Sequence, residues 1–303
     1  MFLLLYVAAI LYLSLYPWQY VPNPTPKTLV WVRLSSHGLI LDAVLNVLFY
    51  MPLGAAAFLS LRRGAPAFLA AFAFGTLVSF IVESAQLSIP TRFGDLTDLL
   101  CNSLGTVLGA TATVIATSPA LAPRLRSLYS PAVLLLGLWV LWQASAFLLP
   151  RNWSIIDVTH EMVGLLVLAV LAARRRIRST TAFTLLSIVL LIWLSVEELR
   201  PFHFRAAAQP FWWLPFESWF VGAPDSYYAT FFRKLFLYTA ILWVERRAGM
   251  RWIWALAAPG AILFAGELAQ RYLPGRTPEV TDVVLLAAGA MLLHLADPSE
   301  ALG

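Results

Sequence analysis

The sequence predicts an all-α fold, a polytopic bundle of about ten membrane-spanning helices. Three observations lead there. Of 303 residues, 60% are hydrophobic and only 12% charged, about half the charge of an ordinary soluble domain. Apolar runs that approach or reach the length needed to cross a bilayer, roughly 17–25 residues, follow one another along almost the whole chain. Arginines gather in alternate connections between them. A soluble fold of this size has too little interior to hide so much apolar surface, which excludes a soluble enzyme, a disordered chain and a nucleic-acid-binding module. The net charge of +5 leaves that unchanged, because the one basic run clear of apolar sequence is Arg174-Arg175-Arg176-Ile177-Arg178. The single cysteine, Cys101, excludes an internal disulfide and a Cys-based zinc site. It reads as a small apolar residue in a helix.

The spans are expected at residues 2–16, 39–61, 67–89, 96–117, 132–149, 155–173, 181–199, 226–244, 252–273 and 280–296. The first is short, and Trp18 and Tyr20 extend it into an interfacial aromatic belt. It lacks the basic start and small-residue cleavage site of a signal peptide and is read as a retained anchor. With the N-terminus in the cytoplasm, the inner connections hold Arg62, Arg63, Arg124, Arg126, Arg174, Arg175, Arg176, Arg178, Arg246, Arg247 and Arg251. Those 11 basic residues face three acids, Glu245, Asp297 and Glu300; the outer side holds the other ten basic residues and 13 acids. The positive-inside rule therefore places both termini in the cytoplasm of a multi-pass cell-membrane protein. Residues 16–39 and 200–226, rich in aromatics and proline, read as interfacial or re-entrant segments over the outer face.

The sequence matches itself at an offset of 184 residues. Leu15 and Pro17 fall on Leu199 and Pro201, and Arg62-Arg63 on Arg246-Arg247. Glu83, Gln86, Pro90, Arg92, Thr97, Asp98 and Gly105 fall on Glu267, Gln270, Pro274, Arg276, Thr281, Asp282 and Gly289, and Asp95 on Glu279. Shared helical composition aligns leucines and alanines, not a glutamate, an arginine and an aspartate at fixed spacing. The expected organisation is a four-span lobe at 1–118, two linking spans at 119–180 and a diverged four-span lobe at 181–303. Two linking spans make the repeat parallel, unlike the inverted repeats common in alternating-access transporters.

Ionisable groups inside spans are costly and usually face a bundle interior or a water-filled cavity. Asp42 and Asn46 share a face of span two. Ser79, Glu83 and Gln86 share a face of span three. Asp95, Asp98, Asn102, Gly105 and Gly109 form one stripe on span four, whose glycines let a neighbouring helix approach. Pro52 is expected to kink span two just inside this group. Glu83 lies about 10 Å before Pro90, so Asp42, Asn46, Glu83, Gln86, Arg92, Asp95, Asp98 and Asn102 are expected to meet in the outer third of the membrane. Four carboxylates against one guanidinium call for compensation by protonation, a cation or a ligand; the plainer reading of Arg92 is a clamp on the turn between spans three and four. Glu267, Gln270, Arg276, Glu279 and Asp282 form the corresponding group in lobe two. There Asn102 becomes Leu286, Asn46 becomes Thr230, and Arg233, Lys234 and Arg271 add positive charge. That lobe reads as a structural partner, with an anionic group such as phosphate as its alternative ligand. Asp157, His160 and Glu161 read as helix cap and dipole partners, and Glu197-Glu198 beside Arg200 as an interfacial ion pair.

The pattern Asp42-x3-Asn46-x2-Phe49-x2-Pro52-x-Gly54, Glu83-Ser84-x-Gln86 and Arg92-x2-Asp95-x2-Asp98-x3-Asn102-x2-Gly105-x3-Gly109, with Leu15-Tyr16-Pro17-Trp18 before it, resembles the VanZ-like membrane protein family. The resemblance covers about residues 1–118 well and 182–297 more loosely. It implies a bacterial cell-envelope protein linked to glycopeptide (teicoplanin) resistance, with no defined reaction. The expected activity is non-enzymatic: binding of a head group or a cation in an acidic pocket on the outer face. The alternatives are an intramembrane enzyme acting on a lipid-linked envelope precursor, with carboxylates as acid, base or metal ligands, and a transporter. No cofactor is expected, the oxygen-only donor set admitting a divalent cation. The expected partners are the lipid bilayer and a lipid-linked precursor, not nucleic acid.

Overall fold

The structure, a computed structural model, describes residues 2–21, 27–33, 37–61, 65–118, 130–147, 155–174, 177, 179–218 and 225–296. Arg62, Arg63, Arg124, Arg126, Arg175, Arg176, Arg178, Asp297 and Glu300, which carry much of the charge asymmetry, lie outside them.

Among the described residues the fold is all-helical, with ten helices: α1 (Phe2–Leu15), α2 (His37–Ser60), α3 (Ala65–Gln86), α4 (Leu96–Thr117), α5 (Pro131–Phe147), α6 (Ile155–Ala173), α7 (Thr180–Leu199), α8 (Asp225–Arg247), α9 (Trp252–Gln270) and α10 (Thr281–Ala296). Each overlaps one expected span. Asp42–Ser60, Ala65–Gln86, Leu96–Thr117, Thr180–Leu199 and Trp252–Gln270 are long and apolar enough to cross a membrane, and Leu3–Leu15, Pro131–Ala146 and Thr281–Ala296 are shorter apolar helices.

The chain divides into two compact units, Met1–Ser127 and Leu128–Gly303. In the first, α1, α2, α3 and α4 pack together, with α2 against α4 as the most extensive pairing. Its helices are small or polar inside and greasy outside. The buried stripe of α3 is Ala67, Ala71, Gly75, Val78, Ser79, Val82 and Glu83, while Leu69, Leu77, Phe80 and Ile81 are exposed. On α4, Asn102, Gly105, Thr106, Gly109 and Ala110 are buried, and Leu100, Leu104 and Leu108 are exposed. That inversion suits lipid as the surrounding solvent, where close backbone approach rather than apolar burial holds helices together. A β-carbon on Gly105 or Gly109 would run into the carbonyl of Val47 or Met51 on α2, and one on Gly54 into the carbonyl of Thr106. Pro52 lies within α2, which continues through it, although proline withdraws one N–H from the helical ladder.

In the second unit α8 is the central helix. Residues 235–245 are buried all round, the pattern of a core helix, and α5, α7, α9 and α10 pack on it. The helices expected as linkers, α5 and α6, belong to this unit.

Candidate functional site

The polar groups of the first unit collect where α3 turns into α4. Asp95 caps α4, its side chain accepting from Thr97 N–H at 2.7 Å. Its own N–H donates to Glu83 Oε2 at 2.8 Å. Val30 lies alongside in a single parallel bridge to Asp95, with Val30 N–H donating to Gly94 and Leu96 N–H to Val30. Gly94 has no room for a side chain, since a β-carbon would lie 2.7 Å from the carbonyl of Glu83. The loop thus delivers a backbone donor onto a carboxylate whose residue is only 2% exposed.

One turn into α4, Asp98 accepts from the Asn46 side chain and faces Asp42 and Asp95. One turn further, Asn102 donates Nδ2–H to Ser79 Oγ at 2.9 Å. Its Oδ1 is buried and has no partner. Tyr50, from α2, is 1% exposed; its hydroxyl is directed at Ser79 and lies near Glu83 and Asp98. An orphaned buried acceptor such as Asn102 Oδ1 costs about 1–3 kcal/mol, and natural folds rarely leave one.

Three of the sequence candidates do other work. Gln86 donates to the Ser14 carbonyl at 2.9 Å, and Arg92 donates Nε–H to the Tyr16 carbonyl at 3.4 Å. Both tether the end of α1. Asp95 is chiefly a cap. The clamp read for Arg92 therefore acts on the chain leaving α1. Lys27 escaped the sequence reading: its ammonium donates to the carbonyls of Ile89, Pro90 and Arg92 at 2.8, 3.2 and 2.8 Å. It serves the open carbonyls at the α3–α4 turn, not the carboxylates. Asp42, Asn46, Glu83, Asp98 and Asn102 lie together with Tyr50 and Ser79, and Asp95 and Arg92 remain close enough to act on Glu83 by charge.

The second unit repeats this construction in detail. Glu279 N–H donates to Glu267 Oε2 at 2.8 Å, Trp212 forms a parallel bridge to Glu279, and Arg276 Nε donates to the Arg200 carbonyl at 3.0 Å. Gln209 takes the place of Lys27, donating to the carbonyls of Gln270, Leu273 and Arg276. Tyr16–Pro17 and Arg200–Pro201 are both cis.

The interior differs. Lys234, offset by 184 from Tyr50, pairs with Asp282 at 2.6 Å. Tyr238, offset from Gly54, donates to the other Asp282 oxygen at 2.9 Å. Asp282 is therefore satisfied from within the chain. Glu198, offset from Ser14, accepts from Gln270 at 2.6 Å and closes a buried group with Glu267 and Asp282 whose oxygens lie within 4.8 Å of one another. Three carboxylates at that spacing have the donor set of a divalent cation, but the Lys234 ammonium already occupies Asp282 Oδ1. Ser79 and Asn102 correspond to Leu263 and Leu286, both buried.

Glu197 and Glu198 part company. Glu197 lies 3.5 Å from Arg200, 3.8 Å from Arg276 and 3.7 Å from His160, as an interfacial ion pair. Glu198 turns inward, against that reading. Adjacent helical positions point about 100° apart, so neighbours of one type meet opposite surroundings. His160 is buried against Trp193, Glu161 accepts from Gln143 at 2.8 Å, and Asp157 lies 3.8 Å from Arg233. All three make tertiary contacts beyond the capping read for them. Burial in the loop holds the Glu279 carboxyl above the usual glutamate range, opposed by hydrogen bonds from Ser218 and Thr281.

Residues 2–117 match the VanZ/LLP1 family. That segment, the first unit of the chain, is similar to VanZ-like proteins. The match spans α1 to α4 and includes every residue of the first cluster. The apolar helices and this VanZ-like segment make it a membrane protein. No curated protein and no solved structure matches the chain.

Proposed function

We propose that this VanZ-like protein acts in the bacterial cell membrane without catalysing a reaction, holding a polar ligand of the envelope between α2, α3 and α4 of its first unit. Residues 181–303 are a second VanZ-like unit that has closed its own site. The charge asymmetry of the connections supports an orientation with the Glu83–Asp98 end at the outer face and both termini inside. A head group of a lipid-linked envelope precursor, or a cation, is within reach there, and glycopeptide tolerance is the associated phenotype. The observation that carries the reading is Asn102 Oδ1, buried and unpartnered one turn from Asp98. An apolar residue such as the Leu286 of the second unit avoids that cost, which supports a ligand that pairs with the amide oxygen.

The test is expression of the full chain in a teicoplanin-sensitive bacterium, comparing wild type with Glu83→Ala and Asp98→Ala at matched membrane levels. Loss of tolerance in both variants supports the reading. Full tolerance in both, or no tolerance from the wild type, rejects it.

A further inference from the structure

The two units differ at the point that decides what the first one binds. Both place a glutamate, Glu83 or Glu267, under the N–H of the α4 or α10 capping turn. Both place an aspartate, Asp98 or Asp282, in the first turn of the next helix. In the second unit a side chain reaches these acids with an ammonium group, since Lys234 pairs with Asp282 and lies among Glu198 and Glu267. At the corresponding place in the first unit Tyr50 brings a neutral hydroxyl toward Glu83 and Asp98. The second donor to Asp282, Tyr238, is replaced by Gly54, which has no side chain. The first unit has the acids without an internal ammonium at that place.

We propose that the first unit binds one ammonium group, RNH3+, at the position that Lys234 occupies in the second, with Asp98, Glu83 and Asn102 Oδ1 as its acceptors. This rests on the binding reading above and names the ligand's chemistry. An ammonium presents three N–H donors and no acceptor. The site offers the carboxylates of Glu83 and Asp98, with Asp42 beside Asp98, and the amide oxygen of Asn102, which has no hydrogen-bond partner among the described residues. A calcium ion asks for six to eight oxygens, and magnesium for near-ideal octahedral geometry. The amine comes from a lipid head group of the surrounding leaflet or from a soluble amine; the chemistry is the same and the experiment separates them.

The test uses the full chain in nanodiscs of pure phosphatidylglycerol, with thermal unfolding followed by tryptophan fluorescence. Ethylammonium, tetramethylammonium, sodium and magnesium chlorides are titrated at matched ionic strength. Ethylammonium is expected to raise the midpoint saturably by about 5 °C, while sodium and tetramethylammonium, which has no N–H, do not. Asp98→Asn loses the response. Tyr50→Lys unfolds at a higher midpoint and no longer responds; should it fail to fold, the wild-type ion series and Asp98→Asn decide. A response to magnesium but not ethylammonium overturns the ammonium assignment and leaves ligand binding standing. No response to any ion, with the same midpoint after half the lipid is exchanged for phosphatidylethanolamine, overturns both. A rise on that exchange, abolished by Asp98→Asn and not increased by ethylammonium, supports the proposal and makes the lipid the source. A response confined to added ethylammonium supports it with a soluble amine as the source.

Discussion

Gly266 lies so close to Glu198 that a β-carbon on the glycine would sit 2.6 Å from the glutamate's own. The bare backbone at 266 is what admits a third carboxylate beside Glu267 and Asp282. Gly266→Ala is expected to push Glu198 out of this group and break its bond to Gln270, with a loss of about 1–3 kcal/mol. Glu198→Ala in the same background should recover part of it. The thermal midpoints of the two single variants and the double variant give the coupling directly.

Lys234→Met removes the ammonium from Asp282 and leaves like charges facing one another. About 2–3 kcal/mol of stability should go, less than for a fully enclosed pair, because 32% of the lysine side chain is exposed. Asp282→Asn added to Lys234→Met should restore most of it. A double variant no better than Lys234→Met would mean that the lysine acts through packing.

Asn102→Leu should behave unlike a typical core change. It loses the hydrogen bond to Ser79, about 1 kcal/mol, and relieves the unpaired Oδ1, about 1–3 kcal/mol. The midpoint in detergent is expected to hold or rise while teicoplanin tolerance falls. A drop of several degrees would show that the amide oxygen is satisfied in the folded protein.

Gly109→Ala drives a methyl group into the Met51 carbonyl, and the monodisperse peak in fluorescence-detected size exclusion should shrink severalfold. Gly137→Ala is the control: a β-carbon there meets nothing within 4 Å, and helix propensity favours alanine by about 1 kcal/mol.

Orientation follows from two cysteines placed in a Cys101→Ser background. Thr91→Cys is expected to react with a membrane-impermeant maleimide in intact cells. Arg251→Cys should react only after permeabilisation. The reverse pattern would put the candidate site on the cytoplasmic side.

The helices and the core of the first site were legible because charged residues are scarce here and the helical period sorts them into faces. Asp98 and Asn102, four apart, and Ser79 and Glu83, four apart, could only face one interior. Arg92 and Gln86 carried the same signal yet bind backbone carbonyls, because a residue near a helix end meets the open carbonyls of the chain as readily as a carboxylate. Lys27 was not legible: it sits in an irregular segment with no period to assign it a direction. Lys234 and Glu198 were legible in principle. The offset that aligns Glu83 with Glu267 also sets Lys234 on Tyr50 and Glu198 on Ser14. Glu198 passed for an interfacial charge and Lys234 for one more positive charge of its lobe, because each stands within a few residues of other charges.

The contact of α2 with α4 through Gly54, Gly105 and Gly109 is backbone against backbone, so neither helix can slide without a main-chain collision. Asn46 and Asp98 are thereby locked to a single plate. The third wall is different: Gly75 of α3 faces the side chain of Thr106, including its β-carbon, and not its main chain. The wall that carries Ser79 and Glu83 is therefore seated on a branched side chain, where the other two helices meet main chain to main chain.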